Sequence, residues 1–145
     1  MSEKSPADLQ AAVDFYLAEM RAGDFDSAAH GLLCFDPGVV PLLCAVFDQQ
    51  TSEDSRCTLM RIAREYRLDT ALPMLEAGLR DRRPDVWKAA LDGFVTVASP
   101  TALDSLQSFA AEAAFSGSRD ADFIDWVREA IQQIEEARAA RPAES

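Results

Sequence analysis

The sequence predicts an all-α fold, a right-handed α-α superhelix of stacked helical hairpins with about seven to eight helices. Apolar residues recur at helical spacing through most of the chain, and no stretch shows the sustained two-residue alternation typical of a β-strand. Segments that start at Asp36, Asp69 and Pro100 resemble one another at a spacing of about 31 to 33 residues. Because helix pairs of this length cannot bury their apolar faces alone, neighbouring pairs are expected to stack.

The composition is typical of an ordinary globular protein. The chain has 145 residues, 48% of them apolar and 27% charged, so we expect one domain over residues 1–145 with its own core. The net charge of −11 repels phosphate backbones and anionic membranes, so neither a nucleic acid nor a membrane is expected as a partner. The same charge would attract a basic protein as a partner. The alternative interpretation is that the acidic surface serves only to keep the protein in solution.

The first 35 residues predict two helices that lack the repeat. Apolar residues at helical spacing run through Pro6–Arg21, and Gly23 supplies a stop. A shorter apolar segment, Phe25–Phe35, ends before Asp36, which is a candidate N-cap for the next helix. Residues 1–35 are therefore predicted to form an N-terminal capping helix pair.

Three helical-hairpin repeats are predicted to follow, over residues 36–68, 69–99 and 100–138. The second helices of the first two repeats carry matching apolar stripes at a constant offset of 32 residues. In the third repeat the offset grows to 40, which indicates an insertion of about eight residues around 115–122, where a loop is expected. Residues 139–145 are predicted to be a disordered tail.

Two segments of these second helices share a short pattern. The segment Asp85–Leu91 contains an acid, a valine, a basic residue and an Ala-Leu pair, and Trp126–Ile131 looks like the same pattern again. This pattern resembles the second-helix signature of HEAT-like repeat proteins. The likeness covers roughly residues 36–138. It implies that the second helix of each pair lines the concave face of the superhelix.

A further likeness concerns function. The stretch Val86–Val97, followed by Ser99–Leu103, is similar to small bacterial HEAT-like proteins that accompany polymorphic or contact-delivered toxins as immunity proteins. This resemblance implies a protein-binding module that acts by stoichiometric association and neutralises a cognate toxin domain. The net charge of −11 favours a toxin domain with a basic surface. The alternatives are a general HEAT-like scaffold or adaptor, and a HEAT-like lyase that handles bilin pigments. The sequence shows no distinctive sign of the apolar, basic pocket that a lyase would need to bind a carboxylated tetrapyrrole, and this weighs against the lyase alternative.

The HEAT-like geometry also implies which residues would contact a partner, namely polar residues on the second helices. Trp126 is the expected anchor, because Phe123 and Val127 already define the buried stripe and leave the indole at its border. An indole packed over the inserted loop is the alternative. The predicted partner-binding residues are Glu53, Asp54, Asp85, Lys88, Asp92, Asp122, Asp125, Trp126 and Glu129.

The sequence offers little catalytic or metal-binding chemistry. His30 is the only histidine, and Cys34, one helical turn away, is the only cysteine that could pair with it as a nucleophile. Cys34, Cys44 and Cys57 lack the spacing of a zinc site and are predicted to be buried, reduced thiols. We therefore expect no enzymatic activity, no cofactor and no metal.

Acidic and basic residues at one-turn separations have simpler explanations than catalysis or nucleic-acid binding. Asp81 with Asp85, and Asp125 with Asp122 and with Glu129, are carboxylate pairs that would need shielding to act as acids; a solvated or partner-binding face is the simpler interpretation. Four arginines between residues 56 and 67 are nearly balanced by neighbouring acids, which favours intrahelical pairing. The lack of a signal-peptide core and of a long apolar run predicts a cytoplasmic location.

Overall fold

The computed structural model describes residues 5–35, 37–117 and 119–140, apart from the side chains of Pro6 and Phe115. This part of the chain is helical and contains no strand, so the predicted all-α fold is confirmed. A single 3-10 turn, Asp69–Ala71, precedes the fifth helix. The α-helices are α1 (Pro6–Arg21), α2 (Phe25–Leu32), α3 (Val39–Phe47), α4 (Glu53–Glu65), α5 (Leu72–Leu79), α6 (Pro84–Val97), α7 (Pro100–Ser116) and α8 (Ala121–Ala140).

The helices pack as consecutive pairs and also between pairs. α1 packs on α2, α3 on α4, α5 on α6 and α7 on α8. Between the pairs, the even-numbered helices contact one another in the order α2, α4, α6, α8, and α3 contacts both α1 and α5. The central helix is α6, because it packs against α4, α5, α7 and α8. This order brings the second helices of the three predicted repeats side by side.

One cluster of buried apolar side chains extends from Val13 in α1 to Ile134 in α8. Trp87, Leu91 and Phe94 of α6 are all buried, as the predicted apolar stripe requires. Helix α6 approaches α5 closely at Gly93, where an added Cβ would meet Leu75 Cδ2 at 2.6 Å. The absence of a side chain at position 93 therefore allows the Leu75 side chain to pack directly on α6.

Short polar side chains determine where several helices begin. The side-chain oxygens of Ser5, Asp24, Ser52 and Ser99 accept hydrogen bonds from backbone N–H groups in the first turns of α1, α2, α4 and α7. Asp120 does the same for α8, accepting from the Phe123 N–H at 2.9 Å. Among the described helices, none combines the length and apolar character needed to cross a membrane.

Several predicted boundaries are wrong by a few residues. α2 ends at Leu32 and not at Phe35, and α3 begins only at Val39; the candidate N-cap Asp36 lies outside the described residues. The insertion in the third repeat mainly lengthens a helix, because α7 has 17 residues where α5 has 8. Helix α8 continues to Ala140, so residues 139 and 140 are not part of a tail, while 141–145 lie outside the described residues.

Candidate protein-binding surface

Trp126 lies at the border between α8 and α6. One turn before it and one residue after it, Phe123 and Val127 are buried and fix the side of α8 that faces the core. The Trp126 ring makes an edge contact with Trp87 of α6, with ring centres 6.2 Å apart, and it keeps 42% of its surface exposed. The indole therefore packs on α6 and remains accessible to solvent.

Lys88 of α6 places a cation on the exposed indole. Its Nζ lies 4.6 Å from the centre of the Trp126 ring and 5.6 Å from that of Trp87. The negative face of an indole attracts an ammonium at such distances. Lys88 and Trp126, both among the predicted contact residues, are thus brought together although they are 38 positions apart in the chain.

Three carboxylates of α8 line a cavity beside the same indole. Asp122, Asp125 and Glu129 line, together with Trp126, an open cavity of about 240 Å³. All three acids are solvent-exposed, and Asp122 stands in the first turn of α8, where the helix dipole favours a negative charge. We name this set of five residues, Lys88, Asp122, Asp125, Trp126 and Glu129, the Trp126 surface.

A carboxylate pair between α4 and α6 extends the acidic area. Glu53 and Asp85 lie close enough to share a hydrogen bond when Glu53 is protonated, which raises the pKa of Glu53, and desolvation and the nearby negative charge of Asp85 raise it further. Asp85 stands one helical turn before Lys88 on α6. This carboxylate pair joins two neighbouring helices, whereas the spacing of acids in the sequence indicates pairs within single helices.

Two predicted contact residues lie apart from the Trp126 surface. Asp92 stands farther along α6, where its carboxylate lies 3.9 Å from Nη1 of Arg64. Asp54 lines a different cavity, of about 490 Å³, together with Arg21 and Phe25 of the N-terminal helix pair. The nine predicted contact residues therefore do not form one continuous group around the indole.

Asp81 has a structural role that the sequence did not reveal. Its carboxylate accepts three hydrogen bonds from Arg83, two from the guanidinium and one from the backbone N–H, and a fourth from Arg56 Nη1 at 3.1 Å. These hydrogen bonds lower the pKa of Asp81 to about 2, although burial alone would raise it. An acid held ionised in this way cannot serve as the proton donor considered for the Asp81 and Asp85 pair.

The three cysteines differ in exposure. Cys44 and Cys57 are half-buried, and burial raises the pKa of both thiols above the ordinary value. Cys34 is exposed, so the prediction of a buried thiol is wrong there, and its Sγ donates to the backbone carbonyl of His30 at 3.3 Å. Within the described ranges, no group of three or more potential ligand side chains is arranged to hold a metal ion.

No family model, curated protein or solved structure matches this chain. The HEAT-like resemblance of Asp85–Leu91 and Trp126–Ile131 therefore stays a prediction. The geometry alone describes an exposed aromatic ring that already holds one cation, with three carboxylates at its rim. Such an arrangement has the chemistry to bind a positively charged side chain from another molecule.

Proposed function

We propose that this protein is a binding module that associates stoichiometrically with a partner protein through the Trp126 surface. The observation that carries the proposal is the exposed Trp126 ring with Lys88 over its face and three carboxylates beside it. Tryptophan is among the residues that most often supply the binding energy of protein interfaces. The net charge of −11 adds long-range attraction for a basic partner.

The chemistry of the surface favours an arginine or lysine of the partner as the group it binds. A guanidinium stacked near the indole can donate paired hydrogen bonds to a carboxylate such as Asp125 or Glu129. The Glu53 and Asp85 pair supplies further negative charge one helix farther along. Binding of a cation there would favour the ionised form of Glu53, whose pKa is raised in the free protein.

We further propose that the partner is a bacterial toxin domain with a basic surface and that this protein is its immunity protein. The support is the resemblance to HEAT-like immunity proteins. Lys88, Trp126 and Glu129 of the Trp126 surface fall within the two segments that resemble the HEAT-like signature, and so does Asp85, one turn before Lys88. In this proposal the helix pairs form a HEAT-like superhelix, and the protein acts in the cytoplasm without catalysing a reaction.

The proposal is tested by capturing the partner with tagged protein from the native host. The test variant neutralises the Trp126 surface with Asp122→Asn, Asp125→Asn and Glu129→Gln. The control variant makes the same charge change elsewhere, with Asp26→Asn, Asp48→Asn and Glu135→Gln, all of which are exposed. Bound proteins are identified by mass spectrometry, and the partner is then produced in cells with and without this protein.

We expect one stoichiometric partner, bound by the wild type and the control variant but not by the test variant. Its production alone should be toxic, and the wild type should restore growth. A specific partner without toxicity would support the adaptor alternative and contradict the immunity proposal. Equal capture by the test variant would show that the Trp126 surface is not the binding site.

A further inference from the structure

A third cavity in this acidic protein is lined by three arginines. Arg80, Arg82 and Arg119 line a space of about 260 Å³ together with the ring of Phe109 and the carboxylate of Glu112. Arg80 directly follows α5, Arg82 lies in the turn before α6, and Arg119 lies in the short segment between α7 and α8. We name this space the arginine cavity.

Two of the three guanidiniums are positioned by aromatic rings. The Arg119 side chain donates from Nη1 to the backbone carbonyl of Leu79 at 2.7 Å, and its Cζ lies 3.5 Å from the centre of the Phe123 ring. The Arg80 Cζ lies 5.7 Å from the centre of the Phe109 ring. A guanidinium held in this way loses little further freedom when it binds a ligand, and it has N–H donors beyond the one used by Leu79.

Glu112 is the acid that lines the arginine cavity beside the three arginines. Among the described residues, no ion pair joins Glu112 to Arg80 or Arg119. Nearby Asp81 is bound by Arg83 and Arg56, and Asp120 caps α8. Burial lowers the pKa of Arg119, and repulsion from Arg82 lowers it further. A bound anion would offset that repulsion.

We propose that the arginine cavity binds an oxyanion group, a phosphate or a carboxylate, between Arg80, Arg82 and Arg119. Guanidiniums bind both kinds of group through paired hydrogen bonds. The adjoining groove between α5 and α7, which shares Arg80, Phe109 and Glu112 with the cavity, provides room for the rest of the ligand. This site is separate from the Trp126 surface and does not depend on the proposed toxin partner.

The test follows the side-chain N–H signals of arginine by NMR during titration with inorganic phosphate and, separately, with glutarate. Sodium chloride at the same ionic strength gives the reference. We expect the Nε signals of Arg80, Arg82 and Arg119 to shift and saturate, while those of exposed Arg61 and Arg128 stay in place. Saturation with phosphate alone would indicate a phosphate group, and saturation with glutarate alone would indicate a carboxylate.

Two double variants distinguish anion binding in the arginine cavity from a general effect of net charge. Arg80→Gln with Arg82→Gln should weaken anion binding by about tenfold or more, since two charge-assisted contacts are lost. Arg61→Gln with Arg128→Gln makes the same change in net charge and should leave the affinity unchanged. Shifts no larger than those caused by chloride, or equal weakening in both double variants, would overturn the proposal.

Discussion

The ammonium of Lys88 lies 4.6 Å from the centre of the Trp126 ring, which joins the exposed indole of α8 to the middle helix of the fold. The chain thus shows by its own contact that this ring accepts a cation. Lys88 belongs to α6, whereas the three acids beside the indole all belong to α8. A partner cation can therefore approach the indole from the α8 side, where Asp125 and Glu129 lie.

Trp126→Ala should weaken partner binding and leave the protein folded. The side chain is 42% exposed, so its removal should lower the free energy of unfolding by about 2 kcal/mol, through loss of the buried part of the indole and of its contact with Trp87. Partner capture should fall by about tenfold or more if the indole anchors the interface. Chemical denaturation and capture are measured on the same preparation, and unchanged capture would contradict the role of Trp126.

Asp81 should make stability depend on pH in the acidic range. Its pKa is about 2 in the folded protein, below the ordinary value of 3.8. A carboxyl with a lowered pKa stabilises the fold above its unfolded value, and this contribution is lost as the pH falls from about 4 towards 2. The Asp81 side chain is only 7% exposed, so solvent screens its contacts little and its contribution is about 2 kcal/mol at neutral pH.

The free energy of unfolding of Asp81→Asn should therefore be about 2 kcal/mol lower than that of the wild type at pH 7. This difference should shrink as the pH approaches 2. Urea denaturation at a series of pH values measures this difference. Asp26→Asn serves as the control, because Asp26 is exposed and should give a small difference at every pH. A constant gap between wild type and Asp81→Asn would contradict the role assigned to the arginine contacts.

Phe94→Ala should lower the free energy of unfolding by about 3 to 5 kcal/mol, because it leaves a cavity in the core beside α6. Phe94 is completely buried, whereas Phe15 on α1 is 58% exposed. Phe15→Ala is therefore the matched control and should cost less than about 1 kcal/mol. Thermal and chemical denaturation measure both, and similar losses in the two variants would show that the core is wrongly assigned.

Gly93→Ala should destabilise the contact between α5 and α6. The new Cβ would lie 2.6 Å from Leu75 Cδ2, and the buried Leu75 side chain would have to move. Overpacking costs about 1 to 3 kcal/mol, which exceeds the gain of about 1 kcal/mol that alanine offers over glycine in a helix. Adding Leu75→Val to Gly93→Ala should recover part of the lost stability, because the smaller side chain makes room for the new Cβ. If the effects of the two substitutions on the free energy of unfolding simply added, the clash would be contradicted.

The apolar stripes of single helices could be predicted from the sequence, because a helix fixes which residues share a face. Trp87, Leu91 and Phe94 follow that rule and are buried. Cys34 was wrongly expected to be buried because the apolar segment continues to Phe35, whereas α2 ends at Leu32. Where the backbone leaves the helix, periodicity no longer reports burial.

The contacts between helices could not be predicted in the same way. Arg56 reaches Asp81 across 25 positions, and Glu53 meets Asp85 only because α4 and α6 pack side by side. The arginine cavity has the same origin, since the lengthened α7 and the segment after it bring Phe109 and Arg119 next to Arg80. The sequence supplied the charges, and the packing of α5, α7 and α8 determined where they meet.

The most direct test of the partner-binding proposal is the amount of captured partner retained by the Asp122→Asn, Asp125→Asn, Glu129→Gln variant relative to the Asp26→Asn, Asp48→Asn, Glu135→Gln control. Both variants lose three negative charges, so general electrostatic attraction changes equally. We predict that the control retains the partner at the wild-type level and that the Trp126-surface variant loses at least about nine-tenths of it, when the tagged protein is kept below the dissociation constant of the wild-type complex, where a tenfold weaker complex captures about a tenth as much. Equal retention by the two variants would contradict the proposal that this surface binds the partner.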